Sequence, residues 1–365
     1  MSKLRPERKG DQVRLSGGFP MFFGNKRKNK VITSNVWAFL KEECAERFYQ
    51  KAKKLHAFID QAYDFYLSAS NPRLSSRPLL YYYAFLNLVK VFLLLRNISL
   101  AEHPRHGISP AKIKKKKLRF EGQKVKIEQI ASDHSQIFPE FLRQFHNRVI
   151  PNEPIRIVDL LGQIPAIHRT YCLSKGKCSD PAFCPARSIQ LVKKKNEVWA
   201  KMIIDRKDKD VEKTLSVIRK NKAFKEVYEQ VKPLEESAAK NHYIFETKAE
   251  NYKTRGIDLA ISKIAAKIRG CGVWSIITPS GYIYYLSNIK VRNVIPQLCA
   301  MYAIMFYLGS ITRYKPDEFD TIFKGHSWLI SDFIDTAPEQ FIYLLASVVA
   351  ETEVVAPYAL QNKIV

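Results

Sequence analysis

Residues 77–97 read RPLLYYYAFLNLVKVFLLLRN. Three consecutive tyrosines open the stretch, leucines close it, and its middle holds two polar residues, Asn87 and Lys90. The apolar run at 79–95 is short of the roughly 20 residues that cross a bilayer, and the lysine and the amide fall mid-run. A soluble helix fits better. Ser75 and Ser76 are capping residues, and Pro78 suits a first helical turn. Apolar side chains fall on nearly every face, so the helix is expected to be enclosed on most sides. Tyr83, Asn87 and Lys90 share one stripe, at i, i+4 and i+7. The stripe is either the exposed edge of a core helix or the wall of a groove that binds something; the pattern leaves both open.

The rest of the chain sets what such a groove would meet. It has 365 residues, 46% hydrophobic and 12% aromatic, enough for a proper core and for two domains or one domain with a large insertion. Its 60 Lys and Arg against 35 Asp and Glu give a formal charge of +25. So large an excess costs self-repulsion and points to a polyanionic partner, nucleic acid first and an anionic membrane surface second. Residues 1–30 hold nine basic against two acidic residues, and 112–126 hold eight against one. Residues 314–365 reverse the sign, three against eight, which suits internal packing or a protein partner. The N-terminus MSKLRPERKGDQ is basic with no apolar stretch behind it, and six cysteines form no dense framework. A cytoplasmic location with no membrane contact is the expectation.

The expected fold class is α+β, mainly α: a helical bundle formed by both ends of the chain, with a basic insertion that contains β-hairpins. Residues 1–30 read as a basic arm and 31–110 as helices. Residues 111–290 read as the α+β insertion and 291–365 as helices completing the bundle. Helical spacing runs through 33–68. Residues 113–130 alternate like a hairpin about Glu121-Gly122-Gln123, and 187–204 suggest a second. Residues 208–240 read as charged helix and the following HYIFETKAENYKTR as extended. GVWSIITPSGYIYYL at 272–286 is the clearest hairpin, turning at Pro279-Ser280-Gly281.

The opening stretch, with HGIS at 106–109, KKKKLRFEGQKVKI after it, and MYAIMFYLGSITRYKP at 301–316, resembles the YaaC-like family of bacterial proteins. The resemblance spans most of the chain and implies no established activity. YYAFLNLVKVFLLL running into a loop with His103 and His106 also resembles HEPN domains, helical bundles of toxins and antiviral defence systems, many of them metal-free ribonucleases. Their catalytic pattern is an Arg, often followed by a polar residue, then four to six residues and a His. Arg96, Asn97 and His103 match it, with His106 nearby. There the histidine moves the proton and the arginine steadies phosphate charge without a metal. The bland reading places Arg96 at a helix C-terminus, favoured by the dipole, and His103 in a surface loop.

Nucleic-acid contacts are expected along the basic hairpin, from Lys112, Lys114, Lys115, Lys116, Lys117, Arg119, Lys124 and Lys126. Lys114 and Lys116 would share one face, with Lys115, Lys117 and Arg119 on the other, a ribbon able to straddle a phosphate backbone. A solvated, charged edge that blocks aggregation explains the same pattern. Arg143, His146 and Arg148 make a further phosphate-binding edge or a plain solvated helix face. Arg313 either ends its helix at the favourable dipole or enters the bundle to pair with an acid or a phosphate. His168, Cys172, Cys178 and Cys184 hold four zinc-type ligands within 17 residues, but their spacing departs from structural zinc sites, and free thiols are the expectation, with no cofactor. The functional expectation is a nucleic-acid-binding component of a defence or stress complex. The alternatives are a metal-free HEPN-type ribonuclease and a scaffold that meets an acidic protein.

Overall fold

The structure, a computed structural model, describes residues 4–13, 31–111, 119–128, 136–145, 153–174, 183–206, 209–253, 256–269, 271–278, 281–287 and 295–357. In chain order the elements begin with β1 (Asp11–Gln12), β2 (Val31–Ile32), α1 (Val36–Arg47), α2 (Ala52–Ser68) and α3 (Arg77–Leu95). Next come β3 (Ile108–Pro110), β4 (Lys124–Ile127), α4 (Ile137–Phe145), β5 (Ile155–Arg156), α5 (Ile157–Leu161) and α6 (His168–Ser174). The middle of the chain forms β6 (Phe183–Ala186), β7 (Ser188–Lys194), β8 (Glu197–Asp205), α7 (Lys209–Ile218), α8 (Lys222–Val227), β9 (Tyr228–Val231), α9 (Glu236–Asn241), β10 (His242–Thr247), β11 (Glu250–Asn251), α10 (Ile257–Arg269), β12 (Val273–Thr278) and β13 (Gly281–Ser287). The chain closes with α11 (Gln297–Tyr314), α12 (Phe319–Phe323), α13 (Ser327–Ala350) and β14 (Val354–Val355). The fold is α+β, mainly α.

The chain divides into two compact units. Residues 33–176 and 291–350 form a helical unit, and residues 1–32, 177–290 and 351–365 form a sheet unit. The sequence had set 111–176 in the insertion. The contacts group it with the helices because its apolar positions find partners there: Phe141 and Phe145 of α4 pack on Phe92 of α3.

Helix α3 is the centre of the helical unit. It is long and apolar enough to cross a membrane by composition, yet most of it lies inside this unit. Phe85 stacks on Phe341 of α13 with ring centroids 3.8 Å apart, and both side chains are fully buried. Burying each such ring is worth about 1.5–3 kcal/mol. Pro78 sits in the first turn as the sequence suggests, but Ser76 makes no side-chain cap; Asn35 does so for α1, accepting from the Ala38 amide. The Tyr83–Asn87–Lys90 stripe is neither open edge nor plain groove. It faces α2, where Tyr83 stacks on Phe65, Asn87 donates to Gln61 and Lys90 lies over Phe58.

Helix α11 is buried along its whole run from Gln297 to Ile311. It approaches α3 closely at Gly309, where a Cβ would come within 3.3 Å of Leu79 Cα, the Pro78 carbonyl and Tyr82 Cβ. The hairpin expected over 113–130 takes another form. Phe120–Gly122 is a turn of 3-10 helix, and β4 pairs with β3 on one side and β5 on the other. Val125 and Ile127 point inward on β4, and a strand with one apolar face takes whichever edges can cover it.

The sheet unit holds a sheet ordered β1-β7-β8-β10-β9, with β11 also on β8. The hairpins read at 187–204 and 272–286 are present as β7–β8 and β12–β13. The expected charged helix over 208–240 is interrupted by β9, because Tyr228 and Val231 pair with β10 and bury. Residues 4–12 of the expected basic arm dock on this sheet. Glu246, fully buried on β10, takes ion pairs from Arg5 at 2.8 Å and Arg8 at 2.9 Å, and Arg8 stacks over Trp199 at 4.4 Å.

Candidate anion site on the helical unit

Tyr82 lies on α3, one helical turn inside its start, facing α11. Its ring meets Tyr302 and Phe306 edge-on, at 5.7 and 5.3 Å. Its hydroxyl lies 2.6 Å from Nδ1 of His106, whose ring also rests against Phe306 at 6.2 Å. The outer edge of His106 remains exposed. The residue after it, Gly107, has φ +71°, and a Cβ there would meet Pro139 at 2.3 Å. Only glycine fits both the left-handed backbone and the contact, and this turn holds His106 over Tyr82.

The charges around His106 are mostly positive. Lys90 of α3 and Arg313 at the end of α11 both act on it, and Glu128 acts in the opposite sense. Burial of the inner face, followed by Lys90 and Arg313, holds His106 below the usual histidine range. Burial also lowers Lys90. Tyr82 is held well above the usual phenol range, chiefly by burial, so it keeps its proton. The Tyr302 hydroxyl beside it is fully buried and also acts on the Tyr82 hydroxyl. A protonated Tyr82 can donate to Nδ1, and the neutral imidazole then carries its own proton on Nε2.

Arg313 donates to the Tyr83 hydroxyl at 3.1 Å and lies over the Tyr314 ring at 5.1 Å. Tyr314 is 70% exposed, the most open of the neighbouring rings, so it offers a free aromatic face. Among the described residues neither Lys90 nor Arg313 makes an ion pair, in contrast to Arg77, which meets Asp335 at 2.8 Å, and Arg156, which meets Asp159 at 2.8 Å. Arg313 thus lies on Tyr83 and Tyr314, next to the Tyr82–His106 pair, and its charge and that of Lys90 both act on the imidazole. Such a patch suits an oxyanion with an attached ring.

Of the residues singled out in the sequence, His106 meets Tyr82 and Arg313 meets the adjacent Tyr83, and the charges of Arg313 and Lys90 act on His106. Arg96 caps α3 with its guanidinium over Phe92 at 5.7 Å. His103 is exposed in a bend with no hydrogen bond, ion pair or ring contact to a described residue. Arg119, Lys124 and Lys126 are exposed, the two lysines on the outer face of β4. Arg143 is exposed and pairs with Glu140 at 3.5 Å. Lys112, Lys114, Lys115, Lys116, Lys117, His146, Arg148 and Cys178 lie outside the described residues. Cys172 belongs to the helical unit and Cys184 to the sheet unit, and both are buried. His168 turns Nδ1 to the Pro165 carbonyl at 2.8 Å. Among the described residues no group of three His, Cys, Asp or Glu is placed to hold a metal ion.

No curated protein and no solved structure matches the chain. The HEPN resemblance gains no support from either comparison. The three blocks that meet at the patch are the ones that resemble the YaaC-like family: α3 with Tyr82 and Lys90, the His106–Gly107 turn, and α11 with Arg313. A family model described as YaaC-like Protein matches residues 21–349, and the chain belongs to that family.

Proposed function

We propose that the protein binds nucleic acid and that the Lys90–His106–Arg313 patch is one of its phosphate contacts. The observation that carries the reading is that Lys90 and Arg313, which make no ion pair among the described residues, both act on the exposed His106. A cation left unpaired in a fold is free to meet an external anion without first breaking an internal ion pair. The net charge of +25 supports the same reading, since it favours polyanions over the whole surface. Binding of fluorescent single-stranded RNA and DNA across a salt series tests it. The log–log slope of wild-type affinity should be steep, and Lys90→Gln with Arg313→Gln should flatten it by about 0.7–0.9 per lost contact. Replacing Lys114, Lys115, Lys116 and Lys117 together with Ser should flatten it by up to four contacts' worth. Affinity that is unmeasurable in wild type, or unchanged in slope in both variants, overturns the reading.

A metal-independent ribonuclease is the second reading. The observation that favours it is the His106 ring, half open and oriented through Nδ1 by Tyr82, as a general acid or base must be. Cleavage of RNA in EDTA that His106→Ala removes and His103→Ala leaves intact would support it.

A further inference from the structure

The geometry points to a second site, in the sheet unit: a cavity at the edge of β9 that takes an adenine mononucleotide, with its phosphate among Arg219, Lys225 and Lys248 and its base edge on the backbone of Gln230. The inference does not rest on the nucleic-acid reading above.

The cavity measures about 630 Å3 and is lined by residues between Arg219 and Lys248, all of them in the sheet unit. That volume lies in the range of small-molecule sites, roughly 300–1,000 Å3. Tyr228 and Gln230 face one side of β9 and Glu229 the other, so a cavity that touches all three sits at the edge of the strand. β9 is the last strand of its sheet, beyond β10. The wall is aromatic: Phe224 of α8 stacks on Tyr228 at 5.1 Å and meets Phe245 of β10 edge-on at 5.5 Å.

The charges that line the cavity are unequally matched. Among the described residues its carboxylates are Glu226, Glu229 and Glu246. Arg5 holds Glu229 at 2.7 Å and Glu246 at 2.8 Å, and Arg8 adds a pair to Glu246 at 2.9 Å. The N-terminal segment thus brings two cations to two of the three acids and balances them. The lining cations are not balanced in this way. Lys225 and Lys248 are exposed and make no ion pair among the described residues. Arg219 reaches Glu212 only at 3.9 Å, outside hydrogen-bond distance. Its guanidinium lies 4.8 Å from the Tyr243 ring centroid, and that of Arg206 lies 4.2 Å from the same centroid. Two like charges on one ring repel, and an anion beside them relieves the repulsion. A phosphomonoester carries between one and two negative charges near neutral pH and offers three oxygens to such donors.

The strand edge supplies the selectivity. Lys232, directly after β9, donates its N–H to the Arg5 carbonyl, and its own carbonyl accepts from the Glu7 amide. Both groups therefore point away from β10. Backbone groups alternate in direction along a strand, so those of Gln230, two residues earlier, point the same way, and the pairing with residues 5–7 stops short of them. Gln230 thus presents one N–H and one C=O side by side on the outer edge of the sheet. Adenine carries the complement, the N6 amino donor beside the N7 acceptor. Guanine shows two acceptors, O6 and N7, on the same edge.

The test titrates the full chain by calorimetry, at physiological salt, with AMP, GMP, adenosine and inorganic phosphate. AMP should bind at least about tenfold tighter than adenosine or phosphate alone, the value of one charge-assisted contact or more. It should also bind tighter than GMP. Lys225→Gln with Lys248→Gln, both at exposed side chains, should weaken AMP by at least about tenfold while the thermal melt of the free protein stays that of wild type. Binding of adenosine should be unchanged in the same variant. Equal affinity for AMP and GMP overturns the base contact at Gln230 and the adenine assignment with it. No binding of AMP, AMP no tighter than adenosine or phosphate, or an AMP affinity that the double variant leaves unchanged overturns the site.

Discussion

The Tyr82 hydroxyl and Nδ1 of His106 lie 2.6 Å apart, joining α3 to the turn ahead of β3 across 24 residues of chain. The bond decides which imidazole nitrogen faces outward. A phenol held above its usual range by burial keeps its proton at any physiological pH, and where it donates to Nδ1 the neutral ring carries its own proton on Nε2. Tyr82→Phe removes that donor and with it one of the supports of the neutral form. The His106 pKa should therefore rise towards the ordinary histidine value in this variant. Titration of the imidazole carbon-bound protons by NMR measures it, and an unchanged or lower value would show that the bond does not set the tautomer.

The depressed His106 pKa also fixes the sign of a pH effect on stability. Between the folded value and the ordinary value near 6.5, the unfolded chain binds more protons at this residue than the folded chain does. Stability from this residue is fully present above about pH 6.5 and is lost as pH falls through the window below it. Thermal melts of wild type should drop from pH 7 to pH 5 by more than those of His106→Gln. A larger drop in the variant would contradict the assignment. Saturating phosphate should shrink the difference, since a bound anion restores the charged ring.

Gly107 gives the most severe single substitution near the patch. Its φ of +71° costs a side-chain-bearing residue about 1–2 kcal/mol from the backbone alone. A Cβ would in addition meet Pro139 at 2.3 Å, a contact that forces the turn or the start of α4 to move. Gly107→Ala should lower the urea midpoint and displace His106 from Tyr82, so that anion binding falls further than stability does. A variant as stable as wild type would mean that the turn relaxes without cost.

In the sheet unit, Glu246 anchors the N-terminal segment. It is fully buried and accepts from Arg5 at 2.8 Å, from Arg8 Nε at 2.9 Å and from the Arg8 amide at 3.1 Å. Glu246→Gln keeps an acceptor but removes the charge that both guanidinium groups share. Both arginines are partly exposed and can rehydrate, so the loss should be about 1–3 kcal/mol. Trypsin should then cut after Arg8 and Lys9 sooner than in wild type, as read by mass spectrometry. Unchanged protection would place the anchor in the backbone pairs of β1 instead.

Much of the fold was legible because its signals are local. Pro78 at a first turn, apolar residues on all faces of 77–95 and 297–311, and alternation about 195–196 and 279–280 each follow from the period of a single element. The hairpin over 113–130 was misread because alternation tells which face of a strand is buried and not which neighbour covers it; β4 found β3 and β5. At the site, His106 and Arg313 were visible as polar residues beside apolar helices, and Lys90 as part of a stripe. Tyr82 was not, since the middle of YYYAF reads as core. Its hydroxyl matters only because Gly309 lets α11 approach and Gly107 turns the histidine back, relations across more than 200 residues in the first case and 24 in the second. Arg96 and His103 fit a spacing rule; Arg96 ends α3 with its guanidinium over Phe92, and His103 lies in an exposed bend.

The last prediction concerns how the chain is divided between its units. The helical unit draws on 33–176 and 291–350, so a cut near residue 190 leaves α3 in one fragment and α11 and α13 in the other. Alone, the first fragment would expose Tyr82, Phe85 and Leu86 of α3, which are at most 6% exposed in the whole chain. The second would expose α11, whose buried run from Gln297 to Ile311 contains no charged residue. A helix apolar on every face has no stable solvated state, and neither fragment keeps the neighbours that enclose its own. The cut also falls inside β7 (Ser188–Lys194) and parts its first residues from Ile203, Met202 and Lys201 of β8. Each fragment expressed singly should therefore be insoluble, and co-expression should return soluble complex with a single cooperative melt. A sharp thermal transition in either fragment alone would show that one unit assembles without the distant half of its sequence, and the two-way division of the helical core would have to be given up.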